Sequence, residues 1–290
     1  MTKSTTRQAA DVAHVVGRKN LIINGNFQVS QRGDFTTADT MSGGLYRMDR
    51  WVPYMSGIVG TLQHTSIELD GINYKAAKCV AINTSSGEMA YQQRIEMANI
   101  PSGSTVTASA MVRATNSNVC LRYYNGEGWT MGQHHTGDGS WQKLTTTFKV
   151  VDNVNGYYVV QLMSTQMNIG EYFEITNVQL ELGSVATEFE HKSYGEELAL
   201  CSRYFQVTEA SIYATATAAN QSKSLASTLV VSMRAVPTVT LGTVHRNSNV
   251  STSYVPSSVR ISDKRLLWRA LSAGSGYVDY AADFKLDAEL

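Results

Sequence analysis

The chain has 290 residues, 43% of them hydrophobic and 17% charged, and its formal net charge is zero. That length suits one large or two ordinary domains, and the apolar content supports a packed core rather than disorder. Zero net charge excludes the broad basicity that grips nucleic acid, and no apolar run approaches the ~20 residues of a membrane span.

Residues 1–19 are polar and small apart from Val12, Ala13, Val15 and Val16, and Lys3, Arg7, Arg18 and Lys19 outweigh Asp11. Two readings are open: a disordered tail, or an arm that docks on a partner surface. The stretch has no apolar signal-peptide core, so folding in a reducing cytoplasm is expected. Cys79, Cys120 and Cys201 are odd in number and widely spaced. They predict buried free thiols rather than disulfides or a zinc site.

Asn20 to Arg32, NLIINGNFQVSQR, predicts a short strand at Leu21-Ile22-Ile23, a turn at Asn24-Gly25-Asn26 and a second strand from Phe27. Strand patterning then runs to about Glu190. Val106, Ala108, Ala110 and Val112 alternate with polar neighbours, as do Leu144, Thr146, Phe148 and Val150, and Val178, Leu180 and Leu182. Tyr157 to Met163, YYVVQLM, is apolar on both faces and predicts a central, doubly covered strand. Asp70-Gly71, Ser102-Gly103, Asn125-Gly126 and Asn155-Gly156 supply turns between the runs. About nine short strands result, enough for a jelly-roll β-sandwich over 20–190. Its first and last strands should pair, bringing Leu21 near Val178.

Ser193-Tyr194-Gly195-Glu196 fits a capping box, and Leu198, Cys201, Ser202 and Phe205 recur at helical spacing. A single short helix is expected as the junction, residues 191–203, with Glu196, Glu197 and Arg203 in water. Residues 204–290 read as a smaller C-terminal β-sandwich of about five strands, from Ser222 to Met233, Thr238 to Val244 after Pro237, Lys264 to Ala270 and Tyr277 to Leu286. The fold class is therefore all-β. Leu229-Val230-Val231 and Leu266-Leu267-Trp268 are apolar on both faces, so Leu229, Val231, Leu267 and Trp268 are candidates for an oligomer interface.

Catalytic patterns are missing from the sequence: no G-x-S-x-G, H-E-x-x-H, P-loop or dinucleotide fingerprint occurs. His134 and His135 are adjacent, which on a strand points them to opposite faces. The expectation is a protein that is not an enzyme and takes no metal or cofactor. The clearest binding signal is aromatic. Tyr123, Tyr124, Trp129 and His134 lie close in sequence, and sugars stack their C–H faces on such rings. Two readings are open here as well, a glycan surface or a core role for Tyr123 with Trp129 shielding a loop. Trp141 and the Arg50-Trp51 pair read as structural.

NLIINGNF resembles the first strand of jelly-roll carbohydrate-binding modules, and YFEITNVQLEL (172–182) resembles their last strand. The fuller set, NLIINGNFQVSQRG, YRMDRW, VQLELGSVATEFEHKSYGEELALCSRYF, MRAVPTVTL and a terminal DAEL, resembles tailed-bacteriophage fibre and appendage proteins from about Asn20 to Leu290. The resemblance implies a virion structural protein, a homotrimeric short tail fibre or spike attaching to host-surface glycan, or alternatively a capsid decoration or head-fibre protein; a depolymerase of cell-surface polysaccharide is the least favoured reading, since no catalytic motif accompanies it. The residue 1–19 arm would then meet other virion proteins. Modules of this kind often hold a calcium ion between first and last strands, but Gln28 and Thr176-Asn177 at the matching positions bring no carboxylate; only Asp34 or Glu174 could still contribute one, and no metal is expected.

Overall fold

The structure is a computed structural model that describes residues 18–41, 43–69, 71–97, 100–152, 155–251 and 260–290. Residues 1–17 of the expected arm, and Asp70 of the expected turn, lie outside the described residues. The chain divides into two compact units between Glu197 and Leu198. It is all-β, with one α-helix among the described residues.

The first unit is a jelly-roll β-sandwich. Its strands are β1 (Asp39–Thr40), β2 (Val52–Ser56), β3 (Gly60–Leu69), β4 (Ile72–Ala81), β5 (Glu88–Glu96), β6 (Thr105–Ala114), β7 (Cys120–Tyr124), β8 (Trp129–His134), β9 (Trp141–Lys149), β10 (Tyr157–Ser164) and β11 (Tyr172–Leu182). They form a six-stranded sheet, β1-β3-β4-β11-β6-β9, and a five-stranded sheet, β2-β5-β10-β7-β8. The two apolar faces close one core. The six-stranded sheet brings Ala77, Ala81, Ala108, Ala110 and Ala114 among larger residues such as Phe148, Phe173 and Leu180, and the five-stranded sheet brings Tyr91, Tyr123 and Tyr158. Large against small is how two pleated faces fill the space between them. β10 is the middle strand of its sheet and is buried on both faces from Tyr158 to Ser164, as its doubly apolar sequence required.

The stretch from Asn20 departs from its sequence reading. Residues 20–30 form no strand and no hairpin. Asn24 and Phe27 sit at φ 58° and 56°, in the left-handed region, which an extended strand cannot contain. The segment is nevertheless buried, with Ile22, Asn24, Phe27 and Val29 all 1% exposed or less. Side-chain amides replace a strand partner. Asn20 Oδ1 accepts from Ile22 N (2.9 Å) and Leu180 N (3.1 Å), and the Gln93 amide bonds both N and O of Ile23 (2.9 and 2.7 Å). Leu21 N donates to Leu180 O (2.8 Å), while Val178 N donates to Gly25 O (2.9 Å). The hydrogen bonds of Val178 are thus made with Gly25 and with Asn20 Nδ2 (3.1 Å), while Leu21 bonds Leu180 two residues further on.

The helix α1 spans Tyr194–Ser202. Its capping box closes both ways: Ser193 N donates to Glu196 Oε2 (2.9 Å) and Glu196 N to Ser193 Oγ (3.3 Å). Phe205, expected on this helix, belongs to the next strand. Glu197, expected in water, is buried because its carboxylate accepts the Asn24 N–H (2.7 Å), and burial raises its pKa.

The second unit holds β12 (Phe205–Ala216), β13 (Ser222–Thr228), β14 (Thr238–Ser248), β15 (Arg260–Ile261), β16 (Arg265–Leu271) and β17 (Gly276–Asp287). Two antiparallel three-stranded sheets, β12-β17-β14 and β13-β16-β15, share a core. β14 begins directly after Pro237, whereas the expected run to Met233 ends at Thr228. Strand parity sorts the interface candidates. Leu266 and Trp268 point inward, where Trp268 meets Phe284 (5.4 Å between ring centres) and Tyr280 (5.8 Å). Leu229 joins them in the core. Leu229 and Trp268 are therefore covered by their own unit and need no second copy to hide them; Val231 and Leu267 are half-buried.

Candidate functional site

The inward set of the five-stranded sheet fixes its outward set. With Tyr158, Val160 and Leu162 in the core, β10 turns Tyr157, Val159 and Gln161 away from it. Register then aligns Gln92, Gln161, Arg122 and Met131 across β5, β10, β7 and β8, and beside that row Arg94, Val159, Tyr124 and Trp129.

The row is bonded along its length. Gln161 Nε2 donates to Gln92 Oε1 (2.8 Å), and Arg122 Nε donates to Gln161 Oε1 (2.5 Å). The other guanidinium nitrogens reach both oxygens of Glu88 (3.1 and 3.0 Å). This is a bidentate, charge-assisted pair. The guanidinium carbon of Arg122 lies 3.8 Å from the centre of the Trp129 ring, and the Tyr124 ring packs 5.1 Å from it. Arg94 lies 5.1 Å over Tyr157. Gln161, Gln92 and Arg122 are buried, yet Trp129 is 41% exposed. The result is a polar floor of amides and one ion pair, with a fixed aromatic ring at its edge. Beside Arg122 on the same face, Cys120 packs with Ala90 and Met163, and burial first of all pushes its thiol up to about 11, so this sulfur stays protonated and inert.

The structure brings together two of the four aromatic candidates. Tyr123 has the opposite parity to Tyr124, lies 0% exposed in the core stacked on Phe148, and offers no surface. His134 is exposed but pairs with Cys120 at the far end of β8 from Trp129, with its Nδ1 3.2 Å from Ser117 O. His135, its neighbour, lies just past the end of β8 and is buried, with Nε2 3.0 Å from Ser140 O. Sequence reasoning missed Glu88, Gln92, Gln161 and the part played by Arg122. One signal was present: Gln161 is the lone polar residue in the run YYVVQLM. Of the acids considered for calcium, Glu174 is paired with Arg113 and Lys78, and Asp34 accepts the Thr36 N–H (3.2 Å).

No family model matches the chain, and no curated protein does. Among solved structures, the enzymatically active domain of tailspike protein 4 of bacteriophage CBA120 is 11% identical with a TM-score of 0.38; the match covers 57% of this chain and 21% of that one. The chain thus spans about a fifth of that tailspike's length. The xylan-binding domain CBM22-1 of Paenibacillus barcinonensis Xyn10C is 9% identical, TM-score 0.36, covering 53% of this chain and 99% of that one. TmCBM61, solved with β-1,4-galactotriose, is 12% identical, TM-score 0.32, covering 57% and 100%.

Proposed function

We propose that this chain is a non-catalytic attachment protein of a tailed-bacteriophage virion, a short tail fibre or spike that contacts host-surface glycan through the outer face of its five-stranded sheet. One observation carries the glycan reading: Trp129 is exposed and held in place by the Arg122 guanidinium, which Glu88 and Gln161 in turn hold. A pre-set ring spares a ligand the entropy of ordering it. Half-buried Glu88 can accept from a sugar hydroxyl beside the ring on which the sugar stacks, while buried Gln92 and Gln161 hold the row in place. The virion reading rests on the motifs from Asn20 to Leu290. A homotrimer would multiply a weak, shallow contact. Val231 and Leu267 remain open to a neighbour, and Val230 beside them is 94% exposed.

The test is binding of the purified chain to host cells and to a panel of surface polysaccharides, with Trp129→Ala alongside. Truncation should weaken binding at least about tenfold, roughly 1.4 kcal/mol, with little change in melting temperature. A wild-type chain that binds no glycan, or equal binding by the variant, removes the glycan reading. Electron microscopy of antibody-labelled virions tests the placement separately: label on the capsid favours the head-fibre alternative, and no label removes the virion reading.

A further inference from the structure

We infer that the first unit carries a second ligand site, on the six-stranded sheet, that takes an acidic sugar unit. This goes beyond the sheet-face reading and stands apart from it. The site is built by a bulge. β11 pairs with β4 only from Tyr172 to Ile175, and its register with β6 breaks between Thr176 and Gln179. Asn177 sits there at φ 50°. The first half of β4, Ile72 to Ala76, therefore has β3 on one side and no β11 ladder on the other. Two cavities open at this place, of about 370 and 400 Å3, sharing Ile72, Tyr74 and His191 in their linings. Each lies within the size range of small-molecule sites.

Three features give the chemistry. First, the rings form a ladder: His191 stacks on Tyr74 (5.8 Å, 28°) and meets Phe189 edge-on (4.9 Å), while Ile72 is 55% exposed. That is a platform for the C–H face of a pyranose. Second, Asn26 lines one cavity, and its Oδ1 is buried with no hydrogen-bond partner. A buried acceptor left open calls for a donor, and a sugar hydroxyl is one. Third, Lys75 lines one cavity and Lys143 the other. Each spends one bond inside the protein, on Ser66 Oγ (3.2 Å) and Thr187 O (2.9 Å). An ammonium has three donors, so both can also meet a carboxylate. Lys192 is already held by Glu190 (2.9 Å) and is not needed. Glu188 is the one acid in either lining. The balance selects an anionic sugar over a neutral one.

Titration of the full chain with glucuronate, followed by calorimetry or NMR shifts, with glucose as control, tests this. Saturable glucuronate binding, at least tenfold tighter than glucose, is expected. Tyr74→Ala should abolish it, and Lys75→Gln, at an exposed position, should reduce it about tenfold without altering the melt. Trp129→Ala should leave it unchanged, which separates this site from the sheet face. No saturable binding, equal binding of glucose, or retention of binding in both Tyr74→Ala and Lys75→Gln overturns the inference. Loss in Trp129→Ala with retention in Tyr74→Ala assigns the sugar to the sheet face instead.

Discussion

Asn24→Ala should be among the most damaging single substitutions in the first unit. Asn24 is fully buried at φ 58°, and its side chain makes three bonds. Nδ2 donates to Val29 O (2.8 Å) and Asp49 O (3.1 Å), and Oδ1 accepts Val29 N (2.9 Å). Its own carbonyl accepts Trp51 Nε1 (2.9 Å), so the backbone pose matters too. Truncation strands the buried Val29 N–H at about 1–3 kcal/mol, and under-satisfies two carbonyls at about 1–2 kcal/mol together. Alanine adds about 1 kcal/mol for the left-handed conformation, which asparagine tolerates. The sum, about 3–6 kcal/mol, is a large part of an ordinary domain's stability of roughly 5–15 kcal/mol. Denaturant unfolding followed by tryptophan fluorescence measures it, because Trp51, Trp129 and Trp141 lie in the first unit and only Trp268 in the second. The midpoint should fall with an unchanged slope. Asn24→Gly, which loses the same bonds without the backbone penalty, should be less damaging by about 1 kcal/mol. A loss below about 1 kcal/mol for Asn24→Ala would refute the reasoning.

Gly25→Ala places a Cβ 2.1 Å from the Val178 carbonyl oxygen, and backbone must move. The melt should drop sharply or the unit fail to fold, whereas Gly128→Ala, with nothing within 4 Å, should be neutral; similar melts for both would count against the geometry. Burial lowers the His64 pKa to about 4, with Asp34 opposing and Lys75 reinforcing. The unfolded chain takes up a proton near 6.5 while the folded one does not, so stability should fall as pH drops from about 6.5 to 4, by at most about 3 kcal/mol. His64→Gln should flatten that part of the profile, and an unchanged slope in the variant would show that other groups set it. Burial raises the pKa of the Cys79 and Cys120 thiols. Both should resist a thiol reagent at pH 8 in the native protein and react at once in denaturant; fast native labelling would contradict their burial.

What the sequence made legible was whatever a strand or helix decides within its own length. β6, β9 and β11 announce themselves because one face is apolar, and α1 because Ser193 and Glu196 are three residues apart. The Asn20 stretch was misread because its conformation is set from elsewhere. Gln93 lies 70 residues away and Leu180 about 160, and together they bond a backbone that has left the strand region. A local turn signal at Asn24-Gly25 carries no information about such partners. The candidate site divides the same way. Tyr124 and Trp129 are five residues apart, so their proximity is visible in the sequence; Glu88 and Gln161, which hold Arg122 beneath Trp129, are 34 and 39 residues from Arg122 and meet it only through register.

Parity, however, is readable in the sequence itself. In Cys120–Tyr124, Leu121 and Tyr123 share a face, and Arg122 and Tyr124 share the other. A guanidinium cannot sit unpaired in an apolar core, so the Arg122 face must be the outer one. That alone sends Tyr123 inward and leaves Tyr124 available. The same step applied to YYVVQLM puts Gln161 opposite Val160 and Leu162, on the outer face. An amide buried there needs partners on both neighbouring strands, and it has them in Gln92 and Arg122. The polar floor thus follows from a single glutamine in a central strand, once the strand's two faces are told apart. If the floor only stabilised the sheet, replacing Gln161 with Leu would lower the melt and leave ligand affinity intact. If it holds Arg122 and so Trp129 in position, affinity should fall even where the melt, with Gln92 and Arg122 half-satisfied, drops by only a few degrees.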